Sequence, residues 1–78
     1  MRVKIVKSQD GPGPSEAIVT IRTASQNDEE VIVHKNQIQE GTIEVGHVDH
    51  EDDRFLVELP QESAMGNWRI WVSSENTQ

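Results

Sequence analysis

"EAIVTIRTASQNDEEVIVHK", Glu16 to Lys35, decides the fold class. Its first half alternates, with Ala17, Val19 and Ile21 on one side and Thr20 and Arg22 on the other. That is the period of a half-buried strand, since successive side chains of an extended chain point to opposite faces. "SQNDEE" reads as a hairpin turn, and "VIVHK" as the strand that returns. Both arms are built from β-branched residues, whose stiff side chains suit a pleated sheet better than a helix.

The pattern spreads outward in both directions. "RVKIVK" (Arg2 to Lys7) places Val3 and Ile5 on one face of a first strand, and "SQDGPGPS" after it reads as a Gly/Pro turn. "NQIQEG" predicts one helical turn, capped by Asn36 and ended by Gly41. "TIEVGHV" and "RFLVELP" supply two more strands, "QESAMG" a second short helical turn, and "NWRIWVS" the last strand. Residues 73–78 read as a frayed tail. Six short strands at this spacing predict a single all-β domain over residues 1–78, a small antiparallel barrel of the SH3-like kind. An OB-like barrel or a two-layer sandwich is the alternative. The expected core is Val3, Ile5, Val19, Ile21, Val31, Val33, Ile43, Val45, Phe55, Val57, Leu59, Trp68, Ile70 and Val72.

Composition supports strands over disorder. Of 78 residues only nineteen are Ile, Val, Leu or Phe, but sixteen of those are Val or Ile. There is no cysteine, which excludes disulfides and thiolate metal sites. No apolar run nears the roughly 20 residues of a membrane span. A soluble, cytoplasmic protein is the expectation.

The net charge of −7 is unevenly spread. Residues 1–24 carry four Lys/Arg against two acids, whereas residues 25–66 carry eleven acids against two bases. Two clusters stand out, Asp28–Glu29–Glu30 and Asp49–Glu51–Asp52–Asp53. In an up-and-down meander their turns share one pole, which becomes strongly negative. Such a surface argues against nucleic acid and anionic membranes, both of which need a basic face. It admits a basic protein partner, and the blander account is that these carboxylates keep strand edges soluble.

"GHVDHEDDRF" (Gly46 to Phe55) adds two histidines to that pole. Strict alternation would turn His47 inward, so a bulge at Gly46–His47 is expected, sending Val48 to the core and His47 to water. His47 and His50 are weak metal candidates, three apart on a bent strand end with no further ligand at a suitable spacing. The calcium-loop pattern fails too, with Arg54 where the glycine belongs and Pro60 where the glutamate belongs. A solvated acidic turn is the preferred reading, and no metal or cofactor is expected.

"NWRIWV" carries the other candidate. With Trp68, Ile70 and Val72 inward, Arg69 and Trp71 share the outer face, a pairing suited to an interface or to stacking on a ligand. Tyr and Cys are absent, and no serine sits in a Gly-x-Ser-x-Gly elbow. "GPGP" cannot cradle phosphate, because proline has no N–H. An enzyme is not expected. The leading expectation is a non-catalytic protein-interaction module acting through Arg69 and Trp71 or the acidic pole, with homodimerisation open. The alternatives are a small-ligand or carbohydrate binder using Trp71, and an acidic inhibitor that blocks a basic protein surface.

Overall fold

The computed structural model describes residues 1–78 and is all-β. In chain order the strands are β1 (Arg2–Lys4), β2 (Lys7–Asp10), β3 (Glu16–Arg22), β4 (Asp28–His34), β5 (Ile38–Gln39), β6 (Thr42–Glu44), β7 (Gly46–Glu51), β8 (Arg54–Glu58) and β9 (Arg69–Ser73). They form three antiparallel three-stranded sheets, ordered β1-β6-β5, β2-β3-β4 and β7-β8-β9. No helix is long and apolar enough to cross a membrane.

The β3–β4 hairpin is the longest ladder, pairing Glu16 with His34 through to Arg22 with Asp28. Its register keeps Val19 opposite Val31 and Ala17 opposite Val33, so both arms bury one branched stripe. Val3, Ile43, Val57, Ile70 and Val72 of the other two sheets, with Val45 and Leu59 at strand ends, close on that stripe and complete one apolar cluster. Every member of the cluster is Val, Ile or Leu, so the core owes its stability to branched aliphatic burial, at roughly 25 cal/mol per Å² removed from water.

Several expectations need correction. The first strand is two: Ile5 and Val6 break it, and β2 then runs through Ser8, Gln9 and Asp10, which the sequence reads as turn. Only Gly11–Ser15 reverses the chain, and a Cβ on Gly11 would lie 2.9 Å from the Glu16 backbone carbon, so glycine is required there. Ile5 and Phe55 flank the core half-buried instead of joining it. Trp68 is 53% exposed. It precedes β9, where only its carbonyl is held, accepting from the Leu59 N–H, and no layer lies over its ring.

The turns also differ. The single 3₁₀ turn after β4 spans Lys35–Gln37, with His34 at its cap position and Asn36 inside it. β5 follows at once, and the reversal into β6 uses Glu40 and Gly41, both with positive φ. "QESAMG" forms a hydrogen-bonded turn at Ser63–Asn67 and no helix. The tail is not frayed. Ser74–Asn76 makes a second 3₁₀ turn, Thr77 bridges to Val3, and the Gln78 N–H donates to the Arg2 carbonyl at 2.9 Å.

Candidate binding cleft beside Trp71

β8 and β9 place Arg54 opposite Ser73, Leu56 opposite Trp71 and Glu58 opposite Arg69. Alternation turns these six residues outward while Phe55, Val57, Ile70 and Val72 face the core side. Trp71 therefore lies on the outer face, as expected, but half-buried. Arg69 is exposed and its Nε donates to Glu58 Oε1 at 3.1 Å. The cation over the Trp71 ring is Arg54, 4.9 Å from its centroid, and Arg54 is itself paired with Glu51 at 3.0 Å. Sequence reasoning passed over Arg54. The signal was its position two residues before Leu56, on the outward phase of "RFLVE".

The free side of β9 meets the turn between β3 and β4. The Ala24 N–H donates to the Trp71 carbonyl at 2.8 Å, which ties the turn to the strand. Between them lies a cleft of about 280 Å³, lined by Trp71, Ile70 and Arg54 from the strands and by Thr23, Ser25 and Asn27 from the turn. The polar wall is ordered by its own bonds: Thr23 Oγ1 accepts from the Asn27 N–H, and Ser25 Oγ accepts from Asn27 Nδ2, both at 3.1 Å.

Glu29 also lines this cleft. It is only 5% exposed, because the pleat of β4 sends it inward between exposed Asp28 and Glu30. Oε2 accepts from Asn67 Nδ2 at 3.1 Å, while Oε1 has no protein partner. A buried carboxylate oxygen without a donor is costly, and native folds retain such groups where they have a use. The acidic-pole reading places Glu29 on the surface beside Asp28 and Glu30, whereas the structure buries it among the residues that line this cleft.

The remaining acids take different places. Asp28 pairs with Arg22, and Glu30 stands exposed on the outer face of the β2-β3-β4 sheet. The stretch read as an acidic loop is mostly strand: β7 runs to Glu51, and only Asp52 and Asp53 turn the chain, Asp52 with φ of 54°. Asp49 Oδ1 accepts from the His50 N–H at 2.7 Å. The register slips between His47 and Asp49, so Val48 is the bulged residue, one position later than expected. Val48 points to solvent, and so does His47.

His47 and His50 act together, on an aromatic ring. His50 stacks on Phe55 at 4.5 Å between centroids, and His47 meets the same ring edge-on at 5.3 Å. The His50 Nε2 also meets the Asp52 carbonyl at 2.7 Å. The pair thus covers the half-buried Phe55 at the rim of the core. No group of three or more His, Asp or Glu side chains converges as metal ligands do.

No protein-family model matches the chain, and no curated protein or solved structure matches it either. Its function has to be read from the cleft.

Proposed function

We propose that this domain is a non-catalytic interaction module whose Trp71 cleft receives a basic side chain of a protein partner. The observation that carries the reading is Glu29, a buried carboxylate with one unpartnered oxygen, which lines the same cleft as an indole. A lysine or arginine head would be drawn to this carboxylate, whose buried Oε1 would swing outward to accept its bond, and its aliphatic stem would lie along Trp71. Arg54 does not forbid a cation, because Glu51 already neutralises it. The acids of the Asp52–Asp53 turn lie close by, since the Ser74 N–H bonds to the Asp53 carbonyl at 2.7 Å just beyond β9. They would speed the approach of a basic partner at low salt. An inhibitor that blocks a basic surface is one form of the same reading. We further take the three sheets as a small SH3-like barrel. The hydrogen bond from the Ala24 N–H to the Trp71 carbonyl, which ties the β3–β4 turn to β9 of another sheet, supports that view.

A second reading keeps one specific observation in its favour. Hydroxyl and amide groups of Thr23, Ser25 and Asn27 line the cleft together with an indole, the combination that sugars use. One experiment separates the two. In a Trp68→Phe background, so that Trp71 alone fluoresces, the domain is titrated with blocked Gly-Arg-Gly, with blocked Gly-Gln-Gly and with methyl glycosides. Saturable change with the arginine probe only, weakened at least tenfold by Glu29→Gln, is the expected result. A response to the glycosides alone would transfer the cleft to the second reading. Silence with every probe would remove both.

A further inference from the structure

The edge of β4 is open at Ile32, and this follows from the ladder itself. The Val6 N–H donates to the Thr20 carbonyl at 2.9 Å, so Thr20 turns its backbone groups toward β2. Alternation then turns those of Val19 and Ile21 toward β4, where Val31 and Glu29 answer them. Asp28, Glu30 and Ile32 must turn theirs the other way. Two bonds agree: the Glu30 carbonyl accepts from the Ala64 N–H on the far side at 2.8 Å, and Lys35, in the opposite phase, donates back to Ser15. No partner meets the N–H of Glu30 or the N–H and carbonyl of Ile32.

Open strand edges template pairing with other chains, and proteins usually blunt them with lysine, proline or a bulge. The other edges here have such devices. β7 is bulged and carries His47, Asp49, His50 and Glu51, and β2 carries Lys7 and ends at the Gly/Pro turn. β4 has neither lysine, proline nor bulge, and its devices, the acids at 28–30 and the Ala64 contact, end at Glu30 and leave Ile32 open. Beside its edge lies a groove of about 320 Å³ lined by Ile18, Ile32 and Ala64 together with Glu30, Glu62 and Ser63. Ile18 and Ile32 are cross-strand partners on the outer face, so the groove has an apolar floor. At Glu30 and Ala64 it joins a second cavity of about 490 Å³ that extends toward Val6 and Met65, the latter 73% exposed. Neither Glu30 nor Glu62 takes part in an ion pair.

We propose that this edge and groove dock an extended basic peptide, which adds to β4 by closing a pair of backbone hydrogen bonds on Ile32. The side chain opposite Ile32 falls on the outer face and enters the groove, so it is apolar. The side chain two residues away comes beside Glu30, so it is lysine or arginine. The recognised pattern is therefore basic, any residue, apolar. A second copy of this chain is disfavoured by charge, because it would bring together two molecules that each carry a net charge of −7. This surface is separate from the Trp71 cleft, shares no lining residue with it, and does not depend on the reading of that cleft.

The probe is a blocked heptapeptide, Thr-Lys-Thr-Val-Thr-Lys-Thr, whose palindromic order serves either strand direction. Titrated into ¹⁵N-labelled protein, it shifts the Ile32 and Glu30 amides and slows exchange of the Ile32 N–H. Glu30→Lys, at an exposed position that spares the fold, weakens binding at least tenfold, and Trp71→Ala leaves it unchanged. N-methylation of the probe's valine abolishes binding, which a purely electrostatic contact would not require. The proposal is overturned if millimolar peptide shifts nothing, if the glutamate-for-lysine peptide binds equally well, or if the shifts map to Trp71. It is equally overturned if sedimentation gives a dimer that Ile32→Asp converts to monomer, since the occupant is then a second copy.

Discussion

Glu29 sits where a hydrophobic residue would stabilise the fold. Its cross-strand partner is buried Ile21, its neighbour on the same face is buried Val31, and only Asn67 answers its carboxylate. Replacing buried charge by apolar volume is often stabilising, and positions held against that gradient are commonly functional. Glu29→Met should therefore raise the denaturation midpoint, by about 1 kcal/mol of stability, while losing the arginine probe. A loss of stability with Met would mean that the carboxylate is structural. The two tryptophans allow a second measurement. Trp68→Ala should cost under about 1 kcal/mol, since an exposed ring gives up little burial, and Trp71→Ala about 1–3 kcal/mol, below the value for a full core truncation. Equal destabilisation by the two would place Trp68 under a layer that the structure does not give it. Alternation predicts the opposite order, because it carries Trp68 inward with Ile70 and Val72. It fails at Trp68 because β9 begins only at Arg69, and beyond a strand's end the pleat no longer dictates direction.

At the scale of elements, the turns hold the strain. Gln26 lies in the β3–β4 turn with φ of 69°, a left-handed conformation that costs a side-chain-bearing residue roughly 1–2 kcal/mol. Gln26→Gly should stabilise the domain by about 0.5 kcal/mol, the relief less the extra chain entropy of glycine. A lower thermal midpoint would show that the Gln26 side chain holds the turn. The C-terminal segment makes a clearer test. Ser74 bonds to Asp53, Thr77 bridges to Val3, and Gln78 bonds to Arg2, so five residues tie the β7–β8 turn to β1. Deleting residues 74–78 should lower the melting temperature by roughly 5–10 °C, the loss of one to two net hydrogen-bond equivalents in a domain this small. An unchanged melt would mean the segment is merely laid against the sheet. Composition hides this docking: "SENTQ" has no apolar residue, and its attachment is through backbone groups that every sequence possesses. The same is true of the β4 edge, whose openness depends on what lies beside it.

For the whole molecule, charge sets the response to pH. The α-amino group of Met1 lies 2.6 Å from Glu44 Oε2, and that hydrogen bond, with Arg2 nearby, holds the Glu44 carboxyl below its ordinary value. A carboxyl whose folded pKa is depressed binds fewer protons folded than unfolded, so its stabilisation is present above the unfolded pKa. It is lost as pH falls through the lowered folded value. Glu44→Gln should therefore flatten the acid limb of the stability profile and leave neutral pH nearly unchanged, and since the group is exposed the difference should shrink in salt. An identical acid limb in the variant would assign it to other carboxylates. What the sequence by itself determined was the all-β class and the aliphatic core. Val3, Val19, Ile21, Val31, Val33, Ile43, Val45, Val57, Leu59, Ile70 and Val72 are legible because burial follows the two-residue period of the pleat, a local property. The outward placement of Arg69 and Trp71 was legible for the same reason. What only the tertiary structure decided was whom each residue meets. Glu29 came to line a cleft because the β3–β4 turn closes on β9, and Arg54, not Arg69, covers Trp71 because β8 pairs with β9 in one register. His47 and His50 cap Phe55, and Ile32 keeps a free edge, because no strand arrives beside it. Periodicity specifies the face a side chain takes; its neighbours come from strands distant in the chain, and no local pattern encodes them.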